Sequence, residues 1–208
     1  MLRFISLLVF TLWMAALPSA AATITILAVG DSLTAGFGVA PLDAFPAKLE
    51  AALKARGHDV RVQNAGVSGD TSAAARERLS WVLTDDVGAV IVELGANDAL
   101  RGIDPGNTDA ALAAILTELA NRRLPVLFAG MRAPLNLGND YVERFDAIFP
   151  KLAKTHDVLF YPFFLDGVAT DPALNQPDGL HPNAKGVDVI VARMLPRVED
   201  LLAKVGSR

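Results

Sequence analysis

Ser32 stands in Gly30-Asp31-Ser32-Leu33, directly after an apolar run from Thr23 to Val29. A serine on a tight turn after a strand can be held out as a nucleophile. Asp178-Gly179-Leu180-His181-Pro182, near the far end of the chain, can supply its base and the carboxylate that orients the base. Only folding could bring the two pieces together. Singly, each has a plainer explanation: Ser and Asp are the preferred helix caps, and Asp-Gly is a common turn. The Gly-x-Ser-x-Gly elbow is not matched, because Thr34 stands where its second glycine would be. That argues against the α/β-hydrolase superfamily but not against a serine nucleophile.

His181 is the best general base of the three histidines. His58 follows Gly57 in a polar turn, and His156 falls at a helix C-terminus, where a histidine can satisfy carbonyls. His181 lies in a loop without such an explanation, and Asp178 can hold one ring nitrogen while the other takes the serine proton. An acyl-transfer site also needs donors for the developing oxyanion. The Ser32 amide and Gly69 in the Gly66–Gly69 loop can act as backbone donors, and Asn97 as a side-chain donor. Tight turns explain Gly66, Gly69 and Asn97 equally well. Asp31 is too close in sequence to serve as the base of Ser32. Its expected role is a local hydrogen bond, with the loop Ser68 to Thr71.

The elements that must position these residues alternate. Strands are expected at 24–29, 59–63, 89–94, 126–129 and 158–161, and helices at 45–56, 71–83, 109–122, 141–155 and 183–205, the last with Pro196 as a possible bend. Apolar strands alternating with helices fold as a parallel sheet covered on both faces. Ser32, the Asn64–Thr71 loop and Gly95-Ala96-Asn97-Asp98 all follow strands, and in an open parallel sheet ligands bind beyond the carboxyl ends.

The first residues are set apart. Met1-Leu2-Arg3, an apolar stretch from Phe4 to Leu17 and Pro18-Ser19-Ala20-Ala21-Ala22 have the layout of a secretory signal, with cleavage after Ala21 or Ala22. The apolar stretch is short for a membrane span, which takes about 20 residues. No stable membrane anchor is therefore expected after cleavage, and residues 23–208 form one domain. Of 208 residues none is Cys, which excludes disulfides and a thiol nucleophile. The net charge of −4 without a basic cluster argues against a nucleic-acid partner. The histidine spacing offers no metal site, so no metal is expected.

Gly30-Asp31-Ser32-Leu33, Asn64 to Thr71, Gly95-Ala96-Asn97-Asp98 and Asp178 to Pro182 together resemble, in order and spacing, the four blocks of the SGNH, or GDSL, hydrolase family. Ser68-Gly69-Asp70-Thr71-Ser72, Val92-Glu93-Leu94-Gly95, Leu100-Arg101-Gly102, Pro150-Lys151-Leu152-Ala153-Lys154 and Pro162-Phe163-Phe164 resemble its branch of periplasmic thioesterases, lysophospholipases and arylesterases. The resemblance implies a flavodoxin-like three-layer α/β/α sandwich with strand order 2-1-3-4-5. It makes Ser32 the nucleophile, His181 the base and Asp178 the orienting acid. Ser32 N–H, Gly69 N–H and the Asn97 amide become the oxyanion donors, with Gly69 favoured over Gly66. By the same analogy the segments 99–107 and 132–140 border the acyl crevice. Leu100, Ile103, Pro134 and Leu135 are its candidate substrate-binding residues, although packing beneath loops explains them as well.

The expected protein is an exported, cofactor-free serine ester hydrolase acting on a small-molecule acyl ester or thioester, most simply as a monomer. A carbohydrate acetylesterase is the rival within the same chemistry, and the apolar loop residues weigh against its polar substrate. A non-catalytic flavodoxin-like module is the rival outside it, and leaves Asp178 and His181 without a purpose.

Overall fold

The computed structural model describes residues 23–206. The expected signal segment, residues 1–22, lies outside them. Five strands form one parallel sheet: β1 (Ile24–Gly30), β2 (Val60–Gly66), β3 (Val87–Glu93), β4 (Val126–Ala129) and β5 (Leu159–Tyr161). Their order is β2-β1-β3-β4-β5, as expected. β1, β3 and β4 are almost wholly buried, and β2 at one edge alternates between buried and exposed residues.

Helices cover both faces. α2 (Phe45–Ala55) packs on α8 (Ala184–Gly206), while α3 (Ser72–Val82) packs on α5 (Pro105–Asn121), which in turn meets α7 (Ile148–Thr155). The core between them holds Phe45, Phe128, Phe149 and Phe164, each essentially inaccessible to water. Burial of this kind is the main favourable term in folding.

Register places the site. Gly30 pairs with Gly66 on one side and Glu93 on the other, and Glu93 pairs with Ala129. The carboxyl ends of β1, β2, β3 and β4 therefore lie in one row. The chain leaves β1 for β2 on one side and returns to β3 on the other, so the strand order reverses at β1. A ligand crevice is expected at that point.

Several elements differ from the sequence expectation. The segment 141–155 is two helices, α6 (Asn139–Asp146) and α7, joined at Ala147. Pro150 has no N–H and its ring would crowd the preceding turn of a continuous helix, whereas the first turn of a new helix accepts it. α5 starts before Asp109, because Asp104 caps it through the Gly106 N–H at 2.8 Å and Pro105 opens it. β2 runs on to Gly66 because β1 continues beside it to Gly30. Two short helices, α1 (Ser32–Ala35) and α4 (Ala96–Leu100), and 3₁₀ turns at Pro41–Asp43 and Leu135–Leu137 carried no periodicity long enough to read.

Candidate active site

β1 ends at Gly30 and α1 begins two residues later. Asp31 caps α1, its Oδ1 accepting the Leu33 N–H at 2.9 Å, and Gly36 at φ +83° ends the helix after one turn. This short turn holds Ser32 at the foot of a cleft. A Cβ at Gly30 would overlap Thr34 Oγ1 and come within 2.7 Å of Glu93 Oε2, so the turn closes this tightly only over a glycine.

The loop before α8 brings His181 to the serine. His181 Nε2 lies 2.9 Å from Ser32 Oγ, and Nδ1 lies 2.7 Å from Asp178 Oδ2. Asp178 Oδ1 accepts the backbone N–H groups of Leu180 (2.9 Å) and His181 (3.0 Å), which folds the loop around the carboxylate. The His181 backbone amide first, then its imidazole and the Leu180 amide, hold the Asp178 carboxyl down at about 2. Asp178 is thus a fixed anion that selects the tautomer with its proton on Nδ1, leaving Nε2 to accept from the hydroxyl.

The candidate oxyanion donors divide clearly. The Gly66 N–H is donated to Asn64 Oδ1 at 2.9 Å, and a Cβ there would strike the Ala35 backbone. Gly66 is therefore explained by close packing. The N–H groups of Ser32 and Gly69 have no acceptor among the described residues. Gly69 sits at φ +87°, and its carbonyl accepts from Arg101 Nη2 at 2.7 Å, which fixes the peptide. Asn97, near the start of α4, donates one amide N–H to Asp31 Oδ2 at 3.1 Å, so its second remains for a ligand. The expected contact of Asp31 with the loop 68–71 is absent: its carboxylate is taken up by Leu33 and Asn97, while Asp70 pairs with Arg78 at 2.6 Å.

A cleft of about 370 Å³ opens from Ser32, Asn97 and His181 towards Met131, Pro134 and Phe163. Leu100, Pro134 and Leu135 line it. Ile103 does not, and this corrects the expectation. Gly102 at φ +62° ends α4 in a Schellman turn, with Gly102 N–H on the Ala99 carbonyl and Ile103 N–H on the Asp98 carbonyl. The chain turns off there, and the Ile103 carbonyl is instead taken by the Tyr141 hydroxyl at 2.7 Å. Arg132 is the one arginine or lysine among the described residues that line the cleft, and it lies over the Phe163 ring.

Sequence reasoning passed over two groups. Glu93, fully buried at the end of β3, accepts from Thr34 Oγ1 at 2.7 Å and faces the amides of Asp31 and Thr34. Burial, then the neighbouring Asp31, pushes its carboxyl well above the usual range, while burial raises Asp31 to about 6. The signal was present: an acidic residue inside the apolar run Val90-Ile91-Val92-Glu93-Leu94 is expensive unless it is neutral or partnered. The other is Phe37, whose ring lies 4.6 Å from that of His181, centroid to centroid. Among the described residues no three His, Cys, Asp or Glu side chains are grouped to hold a metal ion, and no helix is long and apolar enough to cross a membrane.

Residues 28–189 match the family model of the GDSL-like lipase/acylhydrolases. The chain is 39% identical over 184 residues to the thioesterase 1/protease 1/lysophospholipase L1 of Escherichia coli, covering 88% of this chain and 87% of that protein. It is 38% identical over 185 residues to an arylesterase of Vibrio mimicus, covering 88% and 90%. Among solved structures, AlinE4, an SGNH-hydrolase family esterase, is 46% identical with a TM-score of 0.74, covering 88% of this chain and 99% of that one. The chain belongs to the GDSL-like lipase/acylhydrolase family and is a carboxylic ester hydrolase.

Proposed function

We propose that Ser32 is the nucleophile, His181 its general base and Asp178 the group that orients His181, with Ser32 N–H, Gly69 N–H and the Asn97 amide as oxyanion donors. The observation that carries this reading is the unbroken relay from Ser32 Oγ to His181 Nε2 (2.9 Å) and from His181 Nδ1 to Asp178 (2.7 Å). His181 removes the Ser32 proton as Oγ attacks the acyl carbon. The carbonyl oxygen gains the negative charge and meets the three donors. The tetrahedral adduct expels the alcohol or thiol, which takes the proton from Nε2. Water, deprotonated by the same nitrogen, then releases the acid and restores Ser32.

The apolar lining of the cleft suits the acyl part of the substrate. Aryl esters, short-to-medium acyl esters, acyl thioesters and lysophospholipids form the substrate class, in keeping with the names of the relatives. Residues 1–22 direct export to the periplasm, and the mature enzyme acts as a monomer. The test is Ser32→Ala on an activated aryl ester. A fall in kcat of about 10⁴-fold or more is expected of a lost nucleophile. Turnover that survives in the purified variant overturns the assignment.

A further inference from the structure

Phe37 lies just beyond the turn that carries Ser32, and its position is over-determined. Its N–H donates to the Ser32 carbonyl at 3.1 Å. Its own carbonyl accepts from Gln176 Nε2 at 2.7 Å, and the same nitrogen donates to the Pro182 carbonyl at 3.0 Å. The Gln176 N–H donates to the His181 carbonyl at 2.8 Å. Gly36 and Gly38 both take positive φ, and Gln176 Oε1 fills the place where a Cβ on Gly38 would be. One glutamine thus clamps the Phe37 segment to the His181 loop. The aromatic ring tilts 39° against the imidazole, yet Phe37 as a residue stays half exposed. An aromatic side chain left half in water forgoes the gain of full burial.

The reaction gives that exposed ring a use. The leaving oxygen must take its proton from His181 Nε2, so the departing group has to lie against the imidazole. Phe37 flanks the imidazole but is not among the residues lining the cleft that suits the acyl chain. His181 borders both the cleft and the Phe37 ring, so a leaving group held at Nε2 can lie in the cleft or against that ring. Resting on the proposed roles of Ser32 and His181, we propose that the exposed face of Phe37 is a subsite for planar aromatic leaving groups. Stacking on it stabilises the departing aryl or benzyl group as its oxygen reaches Nε2.

The test compares benzyl and cyclohexylmethyl esters of one short acid. The two alcohols have similar basicity and size and differ in having a flat aromatic ring. Phe37→Leu keeps an apolar side chain and removes the aromatic face. The benzyl-to-cyclohexylmethyl ratio of kcat/KM should fall about three- to tenfold, the worth of one aromatic contact. Phe37→Tyr, which keeps the face, should hold the ratio. A parallel fall for both esters in Phe37→Leu overturns the proposal, because the ring then only positions His181. An unchanged ratio overturns it too. Inhibition of the unaltered enzyme by the free alcohols needs no variant: benzyl alcohol should bind more tightly, and equal inhibition counts against the subsite. Failure of the underlying mechanism looks different, since Ser32→Ala would then still turn over. Failure of the subsite leaves Ser32→Ala inactive and the ester ratio indifferent to residue 37.

Discussion

Asp31 accepts two hydrogen bonds that serve different ends. One caps α1 through Leu33 and holds the serine turn; the other holds the Asn97 amide. Its carboxylate is completely buried, beside the equally buried Glu93, and burial raises its pKa to about 6. A raised native pKa means that the folded protein keeps a proton which the unfolded chain has released. Stability from this group is therefore full below about pH 4 and is lost as pH rises through about 6. Asp31→Asn removes that loss. Relative to the unaltered protein, the variant's Tm should rise between pH 4 and pH 6.5, and a flat difference would show that Asp31 does not titrate in this window. The same variant should lower kcat about tenfold, because an amide offers one acceptor oxygen where the carboxylate uses two. In an Asn97→Ala background that kinetic penalty should largely vanish. Full additivity would place the effect of Asp31 on the serine turn instead. A local hydrogen-bonding role for Asp31 was legible in the sequence, but its partners and its burial were not. Ser32, Asp178 and His181 could be singled out by their residue types and order, whereas nothing in the segment around Asp31 points across the sheet to Asn97 or Glu93.

At the scale of elements, the site depends on how the carboxyl ends of β1 and β2 are tied together. Arg78, on α3, donates to the Gly30 carbonyl at 3.1 Å, the Ala65 carbonyl at 2.8 Å and Asp70 Oδ2 at 2.6 Å. One guanidinium thus joins the end of β1, the end of β2 and the loop that carries Gly69. Lysine cannot reproduce this, because its ammonium is a single point rather than a planar fork. Arg78→Lys should cost about 1–3 kcal/mol of stability, measured by denaturant unfolding, since charge-assisted bonds of this kind are lost. It should also lower kcat more than it raises KM if the proposed roles hold, because the loop that carries Gly69 is loosened while the cleft lined by Leu100 and Pro134 is untouched. A rise in KM at constant kcat would mean that Arg78 supports substrate binding instead. The sequence made all five strands and the long helices visible through their apolar periodicity. α1 and α4 were not visible, since one turn has no period to read, yet these two present Ser32 and Asn97. The Schellman turn at Gly102 shows the same limit. Leu100 and Ile103 look alike as apolar loop residues, and only a positive φ between them sends the second away from the cleft.

At the scale of the whole molecule, the described fold begins where the expected signal ends. Thr23 Oγ1 donates to Asp59 Oδ2 at 3.0 Å, the Ile24 N–H donates to the Asp59 carbonyl at 3.0 Å, and β1 pairs with β2 from Ile24 onward. Cleavage after Ala21 or Ala22 therefore spares every strand residue. The candidate site residues all lie within the described residues, between β1 and α8. A domain of this size does not need a disulfide, for the buried sheet and its helices supply a core that small secreted domains lack. Expressed from the complete gene in a Gram-negative host, the active protein should appear in the periplasmic fraction. Its intact mass should place the first residue at Ala22 or Thr23. A chain beginning directly at Thr23 should fold in the cytoplasm and show the same kcat/KM on an aryl ester. Retention of residues 1–22 on the active enzyme would overturn the signal assignment, and an inactive Thr23 chain would show that the leader contributes to the fold.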